Sequence, residues 1–203
     1  MSVERKGTAF QIHDPIALRW SPRAFTDKTV SDEDLAVILE AGRWAPSCFN
    51  EQPWFFMVAK REAPQDFKKM LDCLVEFNQY WAKHAPVLMI SVAKTFFERN
   101  QKDNRHAEHD VGLAAGTLSV QAAAMGIMAH QMAGFDSEKT RAVYHIPEGY
   151  KPMAAFAIGY AAPADTLEGE LKEREKAVRE RKLLSSFVYS GDWGKSWAIV
   201  NGK

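Results

Sequence analysis

Two short stretches carry side chains able to hold an anion and a flat polar ring. In Arg19-Trp20-Ser21-Pro22-Arg23 two arginines flank a serine, and a guanidinium pairs with phosphate through two parallel N–H bonds. Ser21 precedes a proline, which favours extended backbone and ends the short helix seeded at Asp14-Pro15. Taken alone, the five residues fit a solvated surface turn at least as well as an anion cradle. The second stretch, Ala45-Pro46-Ser47-Cys48-Phe49-Asn50-Glu51-Gln52-Pro53-Trp54, is a loop crowded with groups that hydrogen-bond a planar heterocycle, and loops on a rigid scaffold are where ligands are held. A turn-rich connection in which Ser47 and Asn50 satisfy their own backbone is the competing account. Cys48 has no second thiol near it and reads as a small packing residue.

Three further segments hold polar groups of interest. Asn78 follows Phe77 on a helical stretch, where a surface amide is the plain alternative. His130-Gln131-Met132-Ala133-Gly134-Phe135-Asp136 ends an apolar run and reads equally as a strand-to-helix turn. Arg181-Lys182-Leu183-Leu184 reads equally as a charged helix end. His106, His109 and Asp110 raise a metal centre, since His-x-x-His puts two imidazoles on one helical face, but no third ligand cluster accompanies them.

The elements that must position these groups follow from periodicity. Ser31 to Arg43 predicts a helix: Ser31 caps it, Asp32, Glu33 and Asp34 fill the first turn, and Leu35, Ile38, Leu39 and Gly42 recur at helical spacing. Strands are expected over Pro53 to Lys60, Val87 to Ala93, Ile127 to Met132 and Met153 to Tyr160, the second buried on both faces. Helices are expected near Gln65 to Leu71, Cys73 to Lys83, Glu108 to Gly126 and Ser137 to Tyr144. Gly112, Gly116 and five alanines let another backbone approach the long helix 108–126, which joins one strand pair. Leu167 to Lys182 predicts a solvated helix with Glu170–Arg174 and Glu175–Arg179 pairs four apart. The outcome is one α+β, or α/β layered, domain over 1–203.

Lys plus Arg and Asp plus Glu stand at 26 each, so no global charge draws the chain to nucleic acid or to an anionic membrane. Residues 111–135 carry no charged Asp, Glu, Lys or Arg, yet glycines, Thr117, Ser119, Gln121, His130 and Gln131 interrupt the run. A buried helix entering a strand is expected there rather than a membrane span. Met1 to Phe10 lacks the apolar core of a secretory signal, and Cys48 and Cys73 form no CxxC pair, which suits free thiols in the cytoplasm.

The order and spacing of the Arg19–Arg23 and Pro46–Trp54 segments resemble the FMN-dependent nitroreductase family, over nearly the whole chain. The resemblance implies a nitroreductase-like fold, with a central mainly antiparallel sheet flanked by helices, in an intertwined homodimer whose flavin sites lie at the subunit interface. It implies FMN contacts from Arg19 (phosphate), Trp20, Ser21 (ribityl chain), Arg23 (pyrimidine edge), Asn78 and Met132, with main-chain N–H groups of Ala133 and Gly134 facing the flavin's N5 and O4. Pro46, Ser47, Asn50 and Gln52 would come from the partner, and Arg181 and Lys182 would return to the phosphate. The pattern departs in three places. Trp81 stands where several members have Lys, which leaves Arg23 as the main cation; Ala133 replaces a Glu found in some; Leu183 replaces a usual proline. The resemblance implies hydride transfer from NADH or NADPH to a small electron-poor acceptor by ping-pong turnover, with no acid or base residue required. The segment from about 165 to 203 would wrap the partner, and Trp81, Phe96 and Phe97 would border the acceptor unless they are core. A protein that binds or senses FMN without turnover carries the same binding residues.

Overall fold

The computed structural model describes residues 9–200; most of the Met1 to Phe10 reading lies outside them. Four strands, β1 (Trp54–Lys60), β2 (Val87–Lys94), β3 (Met128–Met132) and β4 (Tyr150–Gly159), form one sheet in the order β1-β2-β4-β3, and every neighbouring pair is antiparallel. Around it stand α1 (Asp14–Leu18), α2 (Asp32–Arg43), α3 (Pro64–Leu71), α4 (Glu76–Ala82), α5 (Ala107–Ala124), α6 (Ser137–Tyr144) and α7 (Gly169–Lys176).

β2 is central because it can afford no water on either face: all eight residues are buried. Its alternation feeds two cores. Leu88, Ile90 and Val92 join Phe67, Met70, Cys73 and Trp81 on one side, while Val87 and Met89 join Leu35, Ile38, Leu118, Ile127 and Phe156 on the other. The second core is roofed by α2 crossing α5, where a Cβ on Gly42 would already stand 3.4 Å from Leu118. The expected cap holds: the Asp34 N–H donates to Ser31 Oγ at 3.0 Å.

Four expectations are corrected. The strands that α5 joins, β2 and β3, are not neighbours; β4 lies between them, because its C-terminal half is as buried as β2 and takes a central place. β4 also begins at Tyr150, three residues early, where Lys94 pairs with it. The helix expected from Cys73 starts only at Glu76, since Leu74 bridges Phe135 and the Val75 N–H donates to the Gly134 carbonyl at 3.0 Å, holding that backbone extended. The helix expected to Lys182 stops at Lys176, where Ala177 turns extended. Among the described residues no helix is long and apolar enough to cross a membrane.

Where β4 ends, a Cβ on Gly159 would lie 2.5 Å from Pro86 Cδ and 3.0 Å from Phe25 Cδ1. Neither ring yields without moving a buried strand end. Gly159→Ala is therefore expected to lower stability by about 1–3 kcal/mol, as overpacking does, read from the midpoint of urea unfolding.

Candidate functional site

The Arg19–Arg23 segment is not paired as a strand over its length; two buried ionisable side chains from distant elements hold it instead. On β3, His130 Nδ1 lies 2.8 Å from the Pro22 carbonyl oxygen, and since a carbonyl only accepts, Nδ1 carries the proton. On α7, Glu175 is 2% exposed and its carboxylate accepts the Arg23 N–H at 3.0 and 3.1 Å and the Ala24 N–H at 3.2 Å. Glu175 therefore does not pair with Arg179 as expected. Arg179 instead donates to the carbonyls of Ala17, at 2.7 Å, and Arg19, so both partners of the expected surface pair grip the N-terminal segment. The Glu170–Arg174 pair does form, at 2.9 Å from Arg174 Nε.

From Pro22 a chain of contacts leads to the other polar motifs. The His130 ring lies 4.6 Å from the Trp81 ring; Trp81 Nε1 donates to Asn78 Oδ1 at 3.3 Å; Asn78 Nδ2 donates to the Gly134 carbonyl at 2.9 Å. Gly134 must be glycine for this: a Cβ there would stand 2.5 Å from Asn78 Nδ2 and 2.9 Å from Val75 Cγ2. Trp81, 1% exposed, is part of the core. Met132 is buried at the end of β3, while Trp20 is half-buried and Ser21 exposed.

This half of the site is rich in unused donors. Arg23 Nε is buried without a hydrogen-bond partner, and burial lowers the guanidinium's affinity for its proton against the pull of Glu175. Among the described residues the N–H groups of Ala133 and Gly134 donate to no acceptor. On another side of Arg23 an open pocket of about 460 Å³ is lined by Phe25, Lys83, His84 and Leu171 together with the carboxylates Asp27 and Glu168; Ala133 and Gly134 do not line it. The spare donors of Arg23, Ala133 and Gly134 suit a ligand that carries several acceptor atoms.

The other half lies elsewhere in the chain. Pro46 and Gln52 are exposed, Ser47 is half-buried, and the exposed Asn50 side chain makes no hydrogen bond among the described residues. Gln52 N–H donates to Ser47 Oγ at 3.0 Å, Cys48 N–H donates to buried Asp110 at 2.9 Å, and Glu51 accepts from Lys94 and from the Glu98 N–H. Asp110 thus anchors a loop, with His109 Nδ1 3.3 Å away; among the described residues no three His, Cys, Asp or Glu side chains converge on a point. The loop enters β1 at the level of Lys151 on β4, whereas His130 pairs with Ala157. Six residues along β4 and three strand spacings across put the two halves about 20 Å apart in one direction and about 14 Å in the other. Arg181 and Lys182 are exposed beyond α7.

Residues 16–160 match the sequence model of the Nitroreductase family. The chain belongs to the nitroreductase family. Its similarity to the major NAD(P)H-flavin oxidoreductase of Aliivibrio fischeri is 27% identity over 83% of this chain and 95% of that protein. A crystal structure of an oxidoreductase containing FMN superposes with a TM-score of 0.87 at 32% identity, covering 97% of this chain and 99% of the other. A nitroreductase-type protein in complex with FMN from Desulfovibrio desulfuricans shares the fold, with a TM-score of 0.68 at 23% identity over 88% and 95% of the two chains.

Sequence reasoning missed two residues that hold the Arg19–Arg23 segment. Glu175 looked like one member of a helix-surface pair, and nothing local marks it as buried. His130 stood inside a recognised motif, but its bond to Pro22 spans 108 positions. Burial holds His130 down at about 4 from 6.5, with Arg23 adding to the effect and the Pro22 carbonyl opposing it. Between those values the unfolded chain binds the proton and the folded one does not. Stability is then full above pH 6.5 and falls toward pH 4 by at most about 3 kcal/mol from this group. Glu175, pushed up by burial, acts with the opposite sign, its cost easing as the pH falls. His130→Asn is expected to flatten the loss between pH 6.5 and 4, measured by urea unfolding across that range; an unaltered slope would assign the loss to other groups.

Proposed function

We propose that this chain is an NAD(P)H-dependent FMN oxidoreductase acting on a small electron-poor acceptor such as a nitroaromatic, a quinone or an enone. The observation that carries the reading is a set of donors with no acceptor among the described residues, buried Arg23 Nε and the N–H groups of Ala133 and Gly134, linked by the contacts of His130, Trp81 and Asn78. FMN, when bound, supplies a ring that accepts hydride from the nicotinamide and passes it on.

The chain's own residues would then bind and orient. Arg19 and Ser21 hold the phosphate and ribityl side, and Arg23 sets a fixed cation at the pyrimidine edge, which favours the electron-rich state of the ring. Ala133 and Gly134 N–H groups fix the ring's other polar edge, and Asn78 keeps that turn closed. Arg181 and Lys182 are the further candidates for the phosphate. Nicotinamide and acceptor share one face and take turns, which gives ping-pong kinetics; protons come from water.

A second copy of the chain would complete the site. The separation of the two halves on one sheet supports this, since Ser47, Asn50 and Gln52 do not come near Arg23 within a chain. The exposed small-residue face of α5, where Gly112, Gly116, Thr117 and Ala124 line an open groove of about 570 Å³ with Pro15 and Ala41, suits close helix approach. Beyond α7 the exposed Phe187, Trp193 and Trp197 suit a segment that embraces the partner. Free Cys48 and Cys73 suit the cytoplasm as the setting.

The purified protein is expected to show a flavin spectrum that bleaches on anaerobic addition of NADH or NADPH. A flavin that stays oxidised with both would mark a binding or sensing protein instead. Arg19→Ala and Arg23→Ala are each expected to weaken FMN binding by about 10- to 100-fold, the worth of one charge-assisted hydrogen bond, without unfolding; full flavin retention in both would remove this site.

A further inference from the structure

The loop Ser47–Gln52 is held in a costly shape. Phe49, Asn50 and Gln52 have φ of 54°, 56° and 51°, in the left-handed region that residues with a Cβ seldom adopt. Asp110 and Glu51 fasten the loop from below. The result is a phenyl ring displayed at the apex: Phe49 is 72% exposed. The Phe97 ring stands edge-on to it, with centroids 5.9 Å apart, and the Arg99 guanidinium lies 4.2 Å over Phe49 and 5.5 Å over Phe97.

Arg99 has no ion-pair partner among the described residues, and neither do Lys102 and Arg105 on the same loop. The neighbouring carboxylate of Glu98 is taken, 3.0 Å from Lys94 Nζ, and Lys94 is shared with Glu51. The loop also buries an amide donor without a partner, Asn104 Nδ2. An exposed aromatic ring and a cation without an ion-pair partner make a surface complementary to a flat ring that carries negative charge.

We propose that Arg99, seated on Phe49 and Phe97, is a specificity residue that selects planar aromatic acceptors bearing an anionic substituent such as a carboxylate. The assignment rests on the reading that the Ser47–Gln52 loop borders the flavin of the partner subunit. Phe49 gives the ring a stacking face with Phe97 standing edge-on beside it, and Arg99 pairs with the carboxylate in a bidentate manner. Neutral acceptors would keep the stacking and lose the pairing.

Benzoate and benzamide have nearly the same shape and differ in charge, so their dissociation constants for the FMN-loaded protein, by isothermal titration, isolate the pairing. Wild type is expected to bind benzoate at least tenfold more tightly. Arg99→Gln should bring the two within about twofold with FMN content unchanged, and Phe49→Ala should weaken both alike. The KM for 4-nitrobenzoate against 4-nitrobenzamide should follow the same ratios. No preference in wild type, a preference that survives Arg99→Gln, or an effect of that variant on the KM for NADH or NADPH alone would overturn the proposal. Those outcomes leave the flavin reading standing, whereas a protein that takes up no FMN overturns both.

Discussion

A carboxylate that has lost its water must be given hydrogen bonds, and Glu175 receives them from the backbone of Arg23 and Ala24. An unpaired carboxylate at that depth would cost several kcal/mol, so α7 and the N-terminal segment stand or fall together. On the opposite side His130 fixes the Pro22 carbonyl. Three consecutive residues are thereby clamped from two elements, and the Arg23 side chain is left as the one group of this stretch with a buried, unused donor. Rigidity in the backbone is what permits a spare donor in the side chain, because the segment cannot collapse to satisfy it.

The sheet sets the distance between the two chemically equipped regions. One rides on β3 and the other precedes β1, at the two edges of a four-stranded sheet. No side chain bridges strands that far apart. The fold thus offers half of its polar equipment at each edge, and α5, whose N-terminal turn supplies Asp110 to the loop while its small-residue face lies open, connects the loop's anchoring to the surface on which another helix could pack.

Buried charge is used for placement throughout. Lys94 is almost fully enclosed and is neutralised by Glu51 and Glu98; Asp110 accepts the Cys48 N–H; Glu175 accepts two N–H groups. In each case an ion fixes a loop whose backbone no strand would pair, and the loop, not the ion, carries the exposed functional side chains. The strain at Phe49, Asn50 and Gln52 is sustained by these anchors.

By itself the sequence determined the local and the extreme features: the Ser31 cap, the deeply buried β2, the length of α5, and motifs specific enough to assign the family. These depend on neighbours a few positions apart, where spacing and burial preference act directly. Only the tertiary structure decided which strand lies beside which, because periodicity reports how deeply a segment is buried and says nothing of its partner. It alone delayed the start of one helix to Glu76, through the bond from Val75 to the Gly134 carbonyl, and ended another at Lys176, where Glu175 and Arg179 are drawn to the N-terminal segment. It alone made Trp81 core and put Asn78 against Gly134. The decisive bonds span 108 and 152 positions, and over such separations the chain's path, not its local pattern, chooses the partner.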